Sequence, residues 1–238
     1  VMVRCLMKQS NSNLPILYSL QHCPYAMRAR LGILLAQQPV MIRAVVTKNK
    51  PADMLQVSPK GTVPVLIINH SECEDMHNQQ LIIIDESIDV MLWALRLNDP
   101  HNLLQTDDSS KLAIMLELIN RNDKQFKPHL EMYKLAKRFH KDSEISDRQR
   151  CGNFVAELER KLQISDYLMG DQVSLVDYAL LPFMRQFARV DRSWYLQSPY
   201  PKCREWLNRH LQSPLFTKAM AKYPLWLVCH KKFLLGEN

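Results

Sequence analysis

The sequence predicts a small α/β domain followed by an all-helical domain. Two observations support this fold class. Over roughly the first hundred residues, short runs rich in β-branched and apolar residues alternate with segments of helical periodicity. After Asp107 the apolar spacing is helical, without strand-like alternation. We expect the two domains to span residues 14–99 and 107–230, with a linker at 100–106 between them.

In the first domain the expected order of elements is β-α-β-α-β-β-α. The predicted strands are residues 16–20, 40–46, 63–68 and 81–84, and the predicted helices are residues 24–37, 51–57 and 88–98. Residues 70–79 are polar and are expected to form a hairpin loop. Strands that alternate with helices imply a parallel pair with a crossover, and the closing hairpin adds an antiparallel pair.

The second domain is expected to consist of helices alone. The predicted helices are residues 108–126, 146–168, 174–190, 201–212 and 214–222. Residues 127–145 are basic and polar, and either a helical extension or a loop is consistent with them. Ser174 and Asp177 predict a variant capping box, in which Asp replaces the usual Glu or Gln at the third helical position.

Composition restricts the class of protein. The chain is 47% apolar and 23% charged, as is ordinary for a soluble globular protein, and no uncharged apolar run is long enough to span a membrane. The net charge of +7 is spread along the chain and is compatible with an anionic small-molecule ligand. We expect no nucleic-acid partner, because no motif of interleaved basic and aromatic residues accompanies this charge.

The six cysteines do not form a recognisable framework. They lie at positions 5, 23, 73, 151, 203 and 229, without a Cys-x-x-Cys pair or a Cys/His pair at zinc spacing. In a chain of this length the pattern favours reduced thiols and a cytoplasmic location over disulfides, and it predicts no metal site. The first 13 residues lack the apolar core of a signal peptide.

Cys23 is the candidate nucleophile. It follows the predicted strand 16–20 and precedes Pro24, which suits the first turn of a helix because its missing N–H would be unpaired there. The unpaired N–H groups and the dipole at a helix N-terminus favour a thiolate. Arg28 and Arg30, within two turns, add positive charge. The alternative is that Cys23 is simply a small buried apolar residue.

Four segments, in this order and spacing, resemble the cytosolic glutathione transferase superfamily. They are residues 23–26 (CPYA), 49–51 (NKP), 60–66 (KGTVPVL) and 85–87 (DES). The first is similar to the active-site motif of the cysteine-type, omega-like classes, and the third to the family segment that contains a cis proline. The resemblance implies a thioredoxin-like N-terminal domain followed by an all-α C-terminal domain.

The resemblance also implies that glutathione is the cosubstrate. Cys23 would face its sulfur, and the glutathione-binding residues would be Lys50, Val63, Pro64, Glu86 and Ser87. The Val63 backbone would pair with the cysteinyl amide like an added strand. Glu86 would bind the γ-glutamyl ammonium, Ser87 and a helix N-terminus would bind its carboxylate, and Lys50 would bind the glycyl carboxylate.

The residue at the catalytic position favours thiol–disulfide exchange. A hydroxyl would stabilise the glutathione thiolate for conjugation, whereas a cysteine takes part in exchange. Ala26 stands where dithiol glutaredoxins have a second cysteine, so Cys23 is expected to form a mixed disulfide with glutathione. Tyr18 is the nearest candidate for an activating hydroxyl, although a strand aromatic is the simpler interpretation. Two alternatives remain, namely conjugation of electrophiles and a non-catalytic interaction protein.

The second substrate is expected to be a small-molecule or protein thiol or disulfide, bound between the domains. Candidate contacts are Phe126, Tyr133 and Trp226, with Lys124 and Lys127 nearby. An aromatic residue at helical spacing is more often part of a core. The family usually forms twofold dimers, so the resemblance implies a possible homodimer.

Overall fold

The computed structural model describes residues 14–70 and 80–236. The chain forms two compact units. One holds the described residues up to Ala94 together with those from Ala221 onward, and the other runs from Leu95 to Met220. The structure therefore groups residues 221–236 with the first unit, whereas the sequence placed residues up to 230 in the helical domain. The expected hairpin loop lies, from residue 71 to 79, outside the described residues.

The first unit is built on a mixed sheet. Its strands are β1 (Ile16–Ser19), β2 (Met41–Ala44), β3 (Val65–His70), β4 (Gln80–Ile84) and β5 (Phe233–Leu234). They lie side by side in the order β4-β3-β1-β2-β5. β1 is parallel to β2, while β3 is antiparallel to both β1 and β4. The predicted parallel pair and antiparallel pair of strands are confirmed.

Three helices cover this sheet. They are α1 (Pro24–Leu35), α2 (Ala52–Val57) and α3 (Ser87–Leu97). Leu17 and Tyr18 of β1 point to opposite faces, and both are fully buried, so β1 is covered on its two sides. Gly32 of α1 lies against α3, where a methyl group on it would come within 2.7 Å of the Met91 Cα. The absence of a side chain at position 32 therefore allows α1 and α3 to approach closely.

The second unit is helical. Its helices are α4 (Ser109–Arg121), α5 (Lys127–Arg138), α6 (Glu144–Ile164), α7 (Leu175–Ala188), α8 (Arg192–Gln197), α9 (Pro201–Leu211) and α10 (Pro214–Ala219). A π-helical turn, Asn122–Phe126, continues α4 directly into α5. No helix in the described part of the chain is long and apolar enough to cross a membrane.

The predicted capping box at the start of α7 is present. The Asp177 carboxylate accepts hydrogen bonds from the backbone N–H of Ser174 at 2.9 Å and of Leu168 at 3.0 Å. It also accepts one from the indole N–H of Trp206 in α9, at 2.9 Å. Burial raises the pKa of Asp177, and these bonds oppose that rise. One carboxylate thus joins the start of α7, the segment before it and α9.

The basic segment that sequence left open is largely helical and ion-paired. Lys134 pairs with Glu131 at 2.9 Å within α5. Lys137 joins two acids, Glu144 at 3.0 Å and Asp191 at 2.7 Å, so it connects α5 to the segments that begin α6 and α8. These pairs bind the ends of neighbouring helices together, which accounts for much of the charge in this stretch.

The chain end corrects the expectation that everything after Asp107 is helical. After α10 come one short helical turn, α11 (Trp226–Cys229), and then β5. β5 is antiparallel to β2, with Phe233 opposite Ile42, and it pairs with the edge of β2 that β1 leaves open. A strand of two residues is too short to show alternation in sequence, so periodicity could not predict it.

Candidate active site at the N-terminus of α1

Cys23 occupies the N-cap position of α1. Its backbone is extended, with φ −72° and ψ 125°, and Pro24 takes the first helical position. The Cys23 carbonyl accepts from the N–H of Met27 at 2.9 Å, which closes the first turn. The side chain is partly exposed and makes no capping hydrogen bond to the helix. The positive end of the helix dipole therefore lies beside an accessible thiol.

The thiol contacts the segment that directly precedes β3. Cys23 Sγ donates to the carbonyl oxygen of Val63 at 3.9 Å, and the Val63–Pro64 peptide is cis. Pro64 is buried, whereas Val63 is partly exposed. The structure thus places two of the sequence-predicted site residues in contact, although forty positions separate them. Only the protonated thiol can donate this bond, so formation of a thiolate would release the Val63 carbonyl.

Arg30 supplies positive charge to this end of the helix. Its guanidinium is buried and donates to Ser19 Oγ at 2.5 Å and to the carbonyls of Leu20 and Gln21, at 3.2 and 2.6 Å. Burial lowers the pKa of Arg30 to about 10, and interaction with Cys23 opposes this change. Arg30 remains charged at neutral pH, and it fixes the segment that carries Cys23.

Arg28 has a different contact. Although it is only two residues from Arg30, its guanidinium donates to Ser87 Oγ at 3.3 Å and lies 5.8 Å from the centre of the Tyr25 ring. Both Arg28 and Ser87 are buried. Because the Ser87 oxygen accepts from Arg28, the hydroxyl proton is free to point at another acceptor. The sequence did not indicate this link between α1 and α3.

Glu86 and Ser87 begin α3. Ser87 is its first residue, and the carbonyl of Glu86 accepts from the N–H of Val90 at 3.0 Å. Glu86 is exposed, and its carboxylate pairs with the ammonium of Lys60. The two predicted γ-glutamyl-binding residues thus stand at one helix N-terminus, one as an exposed acid and the other as a buried hydroxyl.

Lys50 lies on the neighbouring turn. Its Nζ lies close to Gly61: a Cβ atom added at position 61 would be 3.7 Å from the Lys50 Nζ. Gly61 has a φ of +63°, a conformation that suits glycine. Lys50 makes no ion pair with any residue in the described parts of the chain. Lys50 and Lys60 therefore lie around the same turn, with Lys60 directed at Glu86.

The hydroxyls that precede Cys23 are both engaged elsewhere. Tyr18 is fully buried, and its hydroxyl donates to Asp53 Oδ2 at 2.6 Å while accepting from Arg43 at 2.5 Å. Burial raises the pKa of Tyr18 above its usual value. Ser19 is buried under Arg30. The interpretation of Tyr18 as a core strand aromatic is therefore the one that fits.

Two of the three aromatic residues proposed for a second substrate are core residues. Phe126 stacks on Phe154 with ring centres 5.0 Å apart, and Tyr133 lies 6.0 Å from the ring of Phe187. Phe126 is 1% exposed and Tyr133 is not exposed at all, which corrects the expectation that they contact substrate. Lys127 is ion-paired within α5, and Lys124 is exposed.

Trp226 belongs to the first unit. It packs against the cluster of Tyr18, Val45, Met54 and Val65, and the guanidinium of Arg43 lies 4.0 Å from the centre of its ring. The stacked Arg43 also pairs with Asp53 at 2.7 Å. In the structure, therefore, Trp226 attaches α11 to the face of the sheet that α2 covers.

The other described cysteines differ from Cys23 in their surroundings. Cys151 and Cys203 are fully buried in the helical unit, and burial raises the pKa of Cys151 to about 12 and that of Cys203 further still. Cys229, like Cys23, is partly exposed. Cys23 and Cys229 are therefore the accessible thiols in the described ranges 14–70 and 80–236.

Family models match both units of the chain. Residues 17–100 match the glutathione S-transferase N-terminal domain, and residues 121–209 match the glutathione S-transferase C-terminal domain. Together the two matches cover most of the chain, and they lie in the sheet-containing and helical parts respectively.

Individual relatives are similar at modest identity. Glutathione S-transferase omega-2 of Rattus norvegicus is 27% identical over 223 residues, which cover 90% of this chain and 84% of the relative. Pyrimidodiazepine synthase of Drosophila melanogaster is 26% identical over 208 residues, 83% of this chain and 77% of the relative.

Solved structures share the fold. A glutathione transferase family member from Pseudomonas fluorescens, solved with two glutathione bound, superposes with a TM-score of 0.74 at 15% identity, covering 89% of this chain and 95% of that one. Glutathione transferase Omega 2C from Trametes versicolor has a TM-score of 0.70 at 20% identity, covering 88% and 94%. Because both family models match and together cover most of the chain, the chain belongs to the glutathione S-transferase family.

Proposed function

We propose that this protein is a glutathione-dependent thiol transferase or reductase that acts through a mixed disulfide between glutathione and Cys23. The observation that carries the proposal is the position of Cys23: a partly exposed thiol at the N-cap of α1, in contact with the Val63 carbonyl. The hydroxyls of Tyr18 and Ser19 are engaged elsewhere, so neither competes for the role of activating group. The omega class name of the relative from Rattus norvegicus agrees with this choice.

The charges around Cys23 suit glutathione, which carries one ammonium and two carboxylates. Glu86 would accept the γ-glutamyl ammonium, while Ser87 and the N-terminus of α3 would bind the adjacent carboxylate. The ammonium of Lys50 would bind the glycyl carboxylate. Once Cys23 is a thiolate, the Val63 carbonyl no longer accepts from it and is available to the cysteinyl N–H of the ligand.

The reaction proceeds in two exchanges. The Cys23 thiolate attacks the glutathionyl sulfur of a mixed disulfide, forming a Cys23–glutathione disulfide and expelling the substrate thiolate, which takes up a proton. A second glutathione thiolate then attacks the glutathionyl sulfur on Cys23, so glutathione disulfide leaves and the Cys23 thiolate is restored. In sum, one incoming glutathione converts the mixed disulfide into the free substrate thiol and glutathione disulfide, so one disulfide is exchanged for another. Reduction of a dehydroascorbate-type substrate takes two electrons and would instead consume two glutathione thiols.

The test uses glutathione disulfide and mass spectrometry of the intact protein and its peptides. We expect one glutathionyl group on Cys23, removed by excess reduced glutathione. Cys23→Ser should lose this adduct, whereas Cys229→Ser, which removes the other accessible thiol of the described chain, should keep it. Peptide mapping also reports any adduct on Cys5 or Cys73.

The variants separate the competing functions. Loss of exchange activity in Cys23→Ser with conjugation of electrophiles retained would still agree with the proposal. If wild type conjugates electrophiles but Cys23 remains unmodified, the proposal fails in favour of conjugation. If the protein neither reacts with glutathione disulfide nor binds glutathione, a non-catalytic role replaces both.

We also infer that the protein is a homodimer that works in a reducing compartment such as the cytoplasm. Support for a dimer comes from β4, an edge strand with exposed Leu81, Ile82 and Ile83, each at least 40% exposed. Free thiol chemistry of the proposed kind suits a reducing environment. Light scattering after size exclusion measures the mass in solution, and a monomer at micromolar concentration would remove the dimer from the proposal.

A further inference from the structure

The carboxylate proposed to bind the ligand's ammonium is already paired with an ammonium from the protein itself. Lys60 Nζ donates to Glu86 Oε1, and the contact with this acid raises the pKa of Lys60. Both side chains reach solvent, with 42% of Lys60 and 61% of Glu86 exposed. The pair is therefore accessible to a ligand, which can replace one ammonium by another.

Asp85 offers the Lys60 ammonium an alternative partner to Glu86. Its Nζ also lies 3.5 Å from the carbonyl oxygen of Asp85 and 3.8 Å from the Asp85 carboxylate. Ser58 Oγ donates to the same carboxylate at 2.9 Å, which ties the turn before Gly61 to the start of α3. Lys60 can thus leave Glu86 without losing every anionic partner.

We propose that Lys60 is a specificity-determining residue. Its ammonium pairs with the Glu86 carboxylate in the free protein and is displaced from it by the ammonium group of the ligand. The inference rests on the proposed function, since it concerns the same γ-glutamyl site. A ligand with an ammonium group exchanges like for like at Glu86. A ligand that lacks an ammonium group cannot displace Lys60 and therefore gains no ion pair with Glu86.

This inference predicts that removal of the Lys60 cation strengthens the binding of an anionic ligand. Glutathione is a net anion at neutral pH, so loss of a nearby cation would ordinarily weaken its binding. If Lys60 competes for Glu86, its removal should instead strengthen binding. Because an exposed ion pair is weak, and Asp85 partly replaces Glu86 as a partner, we expect a gain of roughly two- to fivefold.

The experiment is calorimetric titration of the full chain with two ligands. One is S-methylglutathione, which cannot form a disulfide, and the other is its S-methylated glutaryl-cysteinyl-glycine analogue, which lacks only the ammonium group. Lys60→Met should bind S-methylglutathione about two- to fivefold more tightly than wild type and should bind the analogue no more tightly. Lys60→Arg keeps the cation and should behave like wild type.

Lys218→Met is the matched control for net charge. Lys218 is an exposed lysine of α10 without an ion pair in the described parts of the chain, and the variant makes the same change in total charge. It should leave both affinities unchanged. Equal or weaker binding of S-methylglutathione by Lys60→Met, or an equal gain for both ligands, would overturn the inference while leaving the proposed function intact. If wild type does not bind S-methylglutathione, the proposed function fails, and this inference with it.

Discussion

His210 should make the helical unit less stable at pH 5 than at pH 7. Its side chain is 5% exposed and is surrounded by the rings of Trp206 and Tyr178, with centres 5.1 and 5.2 Å away. Its Nε2 has no hydrogen-bond partner within the described ranges. Burial in this aromatic surrounding lowers the pKa of His210 from 6.5 to about 4.

The sign of the effect follows from proton binding. Between about pH 6.5 and pH 4 the unfolded chain binds a proton at His210 that the folded chain does not, so stability falls as pH falls through this range. From the two pKa values, the loss between pH 7 and pH 5 is about 2 kcal/mol. For a chain of this size that corresponds to a drop of roughly 4–8 °C in Tm. Asp191, whose pKa lies below its usual value, stays ionised at pH 5 and contributes little over the same interval.

Urea unfolding followed by circular dichroism at pH 7 and pH 5 measures this difference. His210→Leu cannot titrate, so its stability should fall by about 2 kcal/mol less than that of wild type between the two pH values, whatever its own packing cost. The exposed His101→Leu variant is the control and should follow wild type. Equal losses in wild type and His210→Leu would refute the reasoning.

Three further substitutions probe the site and the fold. Ser87→Ala should weaken binding of S-methylglutathione by roughly tenfold or more, because it removes a hydroxyl hydrogen bond to a charged group; calorimetry measures this, and an unchanged affinity would exclude Ser87 from the site. Ser174→Ala should lower the free energy of unfolding, measured in urea, by roughly 0.5–2 kcal/mol because it removes the N-cap side chain of α7. An unchanged free energy would show that the Asp177 carboxylate is sufficient to cap this helix. Gly32→Ala should destabilise by about 1–3 kcal/mol although alanine is the better helix former, because its methyl group would meet the Met91 Cα. A more stable Gly32→Ala protein in the same urea assay would contradict the close approach of α1 and α3.

The position of Cys23 was predictable because its determinants are local. A strand, a break and a proline at the first helical position specify where α1 begins, whatever packs around it. The capping box of Ser174 and Asp177 is local in the same way. Such features depend on hydrogen bonds within a few residues, and those rules apply before any tertiary contact is known.

The roles of Arg28 and Arg30 needed the structure. Sequence suggested that both would act on Cys23, because both lie within two turns of it. Residues two apart point about 200° from each other around a helix, so they reach different surroundings. Arg30 faces the segment that carries Cys23, and Arg28 reaches Ser87, 59 positions away. Spacing shows that the two side chains diverge, but only the fold shows what each one meets.

Phe126 and Tyr133 illustrate a different limit. Helical spacing indicates which face of a helix is apolar, and the same spacing serves a core and a substrate-binding wall equally well. Packing against Phe154 and Phe187 decides for the core. Trp226 was likewise unassignable, since its partner Arg43 lies on β2 near the other end of the chain.

The sequence by itself determined the two-part architecture, the place of Cys23 at a helix start and the set of residues that resembles a glutathione site. Only the tertiary structure decided that Lys60 forms an ion pair with Glu86, that Arg28 donates a hydrogen bond to Ser87, and that β5 pairs with β2. The physical reason is the range of the interactions. Helix starts, caps and turns are set by neighbours in sequence, whereas ion pairs and strand edges are completed by whichever distant segment the fold brings within hydrogen-bonding distance.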